Sequence, residues 1–86
     1  SAPKRPKTPK EQPAQLSRKE QRELDALPEK LEGLEAELEA VETTLGDPET
    51  YRTRAADVDT LNARLTELEA AIASAYARWE ALESMR

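Results

Sequence analysis

The chain has 86 residues and a net charge of −5, with 36% charged residues, two Tyr, one Trp and no Phe. At that length a single core is only marginally stabilising, and here it must be aliphatic; a charged fraction well above the usual roughly 25% points to long helices with solvated faces. The absence of Cys and His excludes disulfides, thiolate metal sites and a Cys or His nucleophile–base pair, and no apolar run reaches the ~18 residues that a membrane span needs.

Charge divides along the chain. Residues 1–22 carry Lys4, Arg5, Lys7, Lys10, Arg18, Lys19 and Arg22 against Glu11 and Glu20, a net of +5, so the remainder carries −10. The first 15 residues also hold Pro3, Pro6, Pro9 and Pro13, which oppose helix and strand hydrogen bonding. Residues 1–16 therefore read as a flexible basic linker. It is either a tether to a preceding domain or an electrostatic arm that docks on phosphates with release of counterions. The initial Ser in place of Met suggests a piece of something longer, and the whole reads as soluble and cytoplasmic.

Ser17 followed by Glu20 is a capping box and predicts a helix start. Leu24, Leu27, Leu31, Leu34, Leu38, Val41 and Leu45 then alternate steps of 3 and 4, an uninterrupted heptad seam. Pro28 lies inside it and predicts a kink or a tight 3₁₀ turn at residues 24–28. Gly33 is at an outward position, where it costs about 1 kcal/mol relative to Ala. Gly46-Asp47-Pro48 ends the helix: Gly permits a left-handed cap, and Asp47 can cap a short new turn through Tyr51.

A second seam runs through Val58, Leu61, Leu65, Leu68, Ile72, Ala75, Trp79 and Leu82. Two matched seams joined by about a dozen residues pair antiparallel within one chain, the alternative being pairing between chains; mutual burial stabilises both helices, and turn signals midway between the seams favour the intramolecular form. The fold class is thus all-α: an intramolecular antiparallel coiled-coil hairpin over 17–86, with helices at ~17–45 and ~57–84, monomeric in isolation. Steps of 3 must face steps of 3, which allows Leu24 opposite Ala75 or opposite Leu82. The first sets Glu23 near Arg78 and Glu37 near Arg64; the second drives Lys30 toward Arg78 and Glu35 toward Glu69. Charge pairing favours the first by a few tenths of a kcal/mol per pair. The arm would project roughly 35 to 40 Å at ~1.5 Å per residue.

The chemistry of catalysis is missing. The serines have no activating base, Gly33 and Gly46 cannot build a phosphate loop, and Glu35, Glu39 and Glu42 on a rod do not converge on a metal. The chain reads as a binding module that is not an enzyme and holds no cofactor.

The run Ser17-Arg18-Lys19-Glu20-Gln21-Arg22-Glu23-Leu24-Asp25-Ala26-Leu27-Pro28, the Asp47-Pro48-Glu49-Thr50-Tyr51 turn and Ala77-Arg78-Trp79-Glu80-Ala81-Leu82-Glu83 together resemble the C-terminal domain of Uup-type ABC-F ATPases. These are soluble members of the ATP-binding cassette superfamily without transmembrane domains. The resemblance covers about residues 16–84. It implies an appendage, following two nucleotide-binding domains that would hold ATP and Mg, that binds DNA and supports the ATPase cycle. RNA or the ribosome is the alternative ligand, and contact with the ATPase domains of the same chain or another protein is a further role. The matching basic positions are Lys19, Arg22 and Arg78; Arg18 departs from the aromatic residue found in many relatives. The expected phosphate contacts are Lys4, Arg5, Lys7, Lys10, Arg18, Lys19, Arg22 and Arg78. Arg52 and Arg54 at the turn are a second candidate contact, and Trp79 reads as a core residue and not a base stacker.

Overall fold

The computed structural model describes residues 15–86. Within them the regular elements are helix α1 (Arg18–Leu45), helix α2 (Pro48–Thr53), a 3₁₀ turn (Ala55–Asp57) and helix α3 (Val58–Glu83), with no strand among the described residues. The expected linker, including Lys4, Arg5, Lys7 and Lys10, lies outside the described residues save for its last two.

The start of α1 follows from the Ser17/Glu20 pair. Ser17 is extended (φ −68°, ψ 167°). Its hydroxyl accepts the Glu20 N–H at 3.1 Å while the Glu20 carboxylate accepts the Ser17 N–H at 2.9 Å. Two donors that the helix itself leaves unpaired are thereby satisfied.

The end of α1 differs from expectation. Gly46 is right-handed (φ −83°, ψ −6°), and no left-handed cap forms. The reason lies in the next turn. Gly46 N–H still bonds the Glu42 carbonyl at 2.9 Å, and Asp47 N–H bonds that of Thr44 at 3.2 Å. The Thr50 hydroxyl also donates to the Thr44 carbonyl, at 2.6 Å, from a buried position. With the Glu42 carbonyl bonded by Gly46 and that of Thr44 covered by Asp47 and Thr50, no reversal of backbone handedness is needed to satisfy them. Asp47 starts α2 as its sequence suggests, accepting the Glu49 N–H at 2.9 Å with Pro48 in the first helical position.

α1 and α3 lie side by side. Glu23 pairs with Arg78 and Glu37 with Arg64, so moving two heptads up α1 moves two heptads down α3, and the helices run in opposite directions. These are the two pairs that set Leu24 opposite Ala75, and the alternative with Leu24 opposite Leu82 does not occur. Leu24, Leu27, Leu31 and Val41 of α1 and Leu68, Ala75 and Leu82 of α3 are buried. The other seam residues of both helices are half-buried and none is exposed. Full burial of one Leu contributes about 1.5–3 kcal/mol. Leu16 and Met85, outside both seams, close the base of the core together with Ile72 and Trp79.

Of the kink or 3₁₀ turn expected at residues 24–28, the 3₁₀ turn does not form, since Arg18–Leu45 is α-helix throughout. The proline removes the N–H that the Leu24 carbonyl would take. Its ring is exposed, while Leu24, Leu27 and Leu31 on either side are buried against α3, so packing holds the helix together across the gap. The 3₁₀ turn falls instead at Ala55–Asp57, where α3 begins one residue later than the sequence suggests and without a side-chain cap.

Candidate nucleic-acid interface

The base of the hairpin gathers three of the expected cations. Arg18, Lys19 and Arg22 occupy the first two turns of α1, immediately after the Ser17 cap. Arg18 and Arg22 are one helical turn apart, and Lys19 and Arg22 are three residues apart, so all three share one exposed region. None forms an ion pair among the described residues. The segment that precedes them is the Pro/Lys-rich stretch, whose four cations fall outside those residues.

Arg78 is brought to the same end but is not free. Its guanidinium grips the Glu23 carboxylate through two hydrogen bonds of 2.8 and 3.0 Å. That pairing holds the Glu23 carboxyl below the ordinary carboxylate range, with Lys19 and Lys30 reinforcing it through their charges, and it raises Arg78 in turn. Lys19, Glu23, Lys30 and Arg78 therefore form one mostly basic strip along the side of the hairpin. Lys30 joins Glu23 and Arg78 in a shallow groove with Leu27, Leu34 and Ala75 as its apolar lining. Sequence reasoning missed Lys30. The available signal was its spacing of eleven residues from Lys19, three full turns on the same helix face.

Arg52 and Arg54 are not brought into this site. They sit at the far end of α1, about 40 Å away at ~1.5 Å per helical residue. Arg52 donates two hydrogen bonds to Glu49, at 3.1 and 2.6 Å, and Arg54 pairs with Asp57 at 3.0 Å. Higher on the shaft, Arg64 bridges Glu37 and Glu67. The Glu37 carboxyl is lowered by its hydrogen bond to Arg64, whose own value is raised. These arginines are occupied by carboxylates, whereas the cluster at the start of α1 is not.

The opposite side of the hairpin is acidic and aromatic. Tyr76 and Trp79 stack with ring centroids 6.3 Å apart and planes within 5°. The Tyr76 hydroxyl donates to Glu35 at 2.8 Å, which raises the phenol above its ordinary value. Trp79 is half-buried on the core and donates its indole N–H to Glu83 at 3.2 Å. Tyr76 had no place in the heptad reading because it lies one position beyond Ala75, off the seam.

Among the described residues no group of three or more carboxylates could hold a metal, and no helix is long and apolar enough to cross a membrane.

The sequence profile of the ABC transporter C-terminal domain matches residues 15–84. The ATP-binding protein Uup of Haemophilus influenzae is 36% identical over 86 residues, covering all of this chain and 13% of that protein. The ATP-binding protein Uup-like of the same organism is also 36% identical over 86 residues, covering all of this chain and 19% of its own length. The ATP-binding protein Uup of Escherichia coli K12 is 37% identical over 79 residues, 92% of this chain and 12% of that protein. The chain thus spans less than a fifth of the length of these relatives. No solved structure matches it. The capped, two-seam helical chain therefore belongs to the ABC transporter C-terminal domain family, as the C-terminal domain of a Uup-type ABC-F protein.

Proposed function

We propose that this domain is a non-catalytic, nucleic-acid-binding appendage of a cytoplasmic ABC-F ATPase. It acts as an antiparallel coiled-coil hairpin that presents a basic base to DNA. The observation that carries this reading is the contrast among its cations. Arg52, Arg54, Arg64, Arg78 and Arg86 are each held by a carboxylate, while Arg18, Lys19 and Arg22 are exposed and unpaired among the described residues. Those three adjoin Lys4, Arg5, Lys7 and Lys10, and the seven together suit a phosphate backbone. No aromatic platform accompanies them at the start of α1, so sequence preference is weak. Lys30 extends the footprint along the side of the hairpin. Arg78 reaches phosphate only by releasing Glu23.

ATP and Mg are bound in parts of the parent protein outside this chain, and the domain supports that ATPase cycle by holding nucleic acid near it. Family membership and the relatives' names as ATP-binding proteins support this division of labour. The test is binding of duplex DNA across a salt titration. R18Q/K19Q/R22Q lowers affinity and flattens the slope of log K against log salt by up to ~0.9 per lost contact; an unchanged slope would remove the site.

A second reading, contact with protein, has its own observation. The outward face of α3 carries Ala63, Ala70, Ala73, Ala77 and Ala81, all exposed, with Asp59, Glu67 and Glu80 interleaved among them. Small residues permit close approach of another helix, whether from the ATPase domains or a second copy. Sedimentation that shows a dimer, together with no salt-sensitive nucleic-acid binding, would favour it.

A further inference from the structure

The Tyr76–Trp79 stack lies in an open groove of ≈ 850 Å³ that Pro28 and Leu31 also line. Tyr76 is 48% exposed. Glu32, Glu35 and Glu39 of α1 rim the groove on one side, and Glu80 adjoins the two rings on the other. None of these four carboxylates forms an ion pair among the described residues. An aromatic and proline floor between unpaired carboxylates favours a cationic, proline-bearing strand.

Such a strand is present in the same chain. Residues 3–10 read Pro-Lys-Arg-Pro-Lys-Thr-Pro-Lys. Both residue types recur every third position, and a polyproline II helix has three residues per turn. That conformation would align Pro3, Pro6 and Pro9 on one face and Lys4, Lys7 and Lys10 on another. The lysines would repeat every ~9.3 Å at ~3.1 Å per residue. Glu32 and Glu39 are ~10.5 Å apart along α1 at ~1.5 Å per residue, a near match.

The reach is also adequate. Leu16 and Trp79 pack against the same buried cluster, so the preceding chain starts from the end of the hairpin that carries Trp79. From Leu16 back to Pro9 is ~22 Å in polyproline II and from Pro9 to Pro3 a further ~19 Å. Pro28 lies ~17 Å along α1 from Ser17, and Glu39 the same ~17 Å beyond it.

We propose that this groove is the docking site for residues 3–10 of the same chain, with the prolines on Tyr76 and Trp79 and the lysines along the Glu32–Glu39 rim. The docking requires no nucleic acid. Its consequence for phosphate binding, that the basic segment is held on the acidic side until a polyanion competes for it, does rest on the function proposed above.

The test uses the whole 86-residue chain without nucleic acid, so its outcome is independent of that function. The chain lacks cysteine, so a nitroxide on T8C is the only label. Broadening of the amide signals of Ala36, Tyr76 and Glu80 is expected at about 0.01 M salt, with recovery at about 1 M, as the Debye length falls from ~30 to ~3 Å. E32K/E39K, on the exposed side of α1, and P3A/P6A/P9A should each abolish the broadening while the helical circular dichroism is retained. Broadening confined to Leu16 and Met85 would overturn the proposal. So would broadening that survives both variants, or that appears equally when the nitroxide is on one copy and the observed amides on another.

Discussion

Glu23 and Arg78 are 55 positions apart in the sequence, yet two hydrogen bonds of 2.8 and 3.0 Å join them across the base of the hairpin. The pair fixes the register, because it cannot form when Leu24 faces Leu82. It follows that each single reversal, Glu23→Arg or Arg78→Glu, lowers the melting temperature, and that the double swap recovers most of the loss. Thermal melts of the four proteins in a double-mutant cycle measure this coupling. The coupling should weaken as salt is raised, since both side chains are substantially exposed. Additive losses in the double swap would mean that the contact does not set the register.

The same geometry makes stability depend on pH at both extremes. Glu23 and Glu37 are held below their ordinary 4.5 by Arg78 and Arg64. Their contribution is fully present above pH 4.5 and is lost as pH falls through the lowered folded values. Tyr76 is raised above 10.0 by Glu35, so its contribution is complete below pH 10 and is lost as pH rises through the raised folded value. Urea unfolding across pH should therefore show E23Q/E37Q less stable than the parent at neutrality, with the gap closing in acid. Spectrophotometric titration should show the Tyr76 phenol ionising at lower pH once Glu35 is replaced by Gln.

Core substitutions should grade with burial. Leu68 is fully buried, and Leu68→Ala should cost about 2–5 kcal/mol by urea denaturation. Leu34 is half-buried, so Leu34→Ala should cost clearly less although both belong to the heptad seams. Equal costs would show that the seams are buried to the same degree in solution.

The two glycines should respond differently. A methyl group at Gly33 meets nothing within 4 Å, so Gly33→Ala should stabilise by about 1 kcal/mol. At Gly46 the added carbon would lie 3.3 Å from the Glu42 carbonyl oxygen, and Gly46→Ala should gain less or nothing. Thermal melts of both variants check the difference.

These contrasts show where sequence was informative. Heptad steps specified which residues face inward, because a helix cannot bury any other stripe against a single partner. The Ser17 box and the Asp47-Pro48 start were legible because both act over three residues or fewer. Register was legible through charge, as Glu23–Arg78 and Glu37–Arg64 form in only one alignment. The passage of α1 through Pro28 was legible in the unbroken heptad, but the local geometry there was not, since the proline by itself allows a 3₁₀ turn and burial of Leu24, Leu27 and Leu31 on α3 keeps the segment α-helical. Gly46 was misread for a similar reason: the Thr50 hydroxyl that covers Thr44 comes from the next helix. At the candidate site, the exposed Arg18, Lys19 and Arg22 could be read from composition. Lys30 carried a signal in its eleven-residue spacing from Lys19 on α1, whereas the Tyr76–Glu35 contact on the opposite side did not, because it depends on what α1 and α3 bring together across the hairpin.

The most direct measurement is affinity for duplex DNA against salt, comparing the chain with R18Q/K19Q/R22Q and with a form lacking residues 1–14. The account predicts that log affinity falls linearly with log salt, and that both changes weaken binding and flatten the slope, whatever the DNA sequence. Binding with the same slope in all three proteins, or no salt-sensitive binding in any, would contradict it.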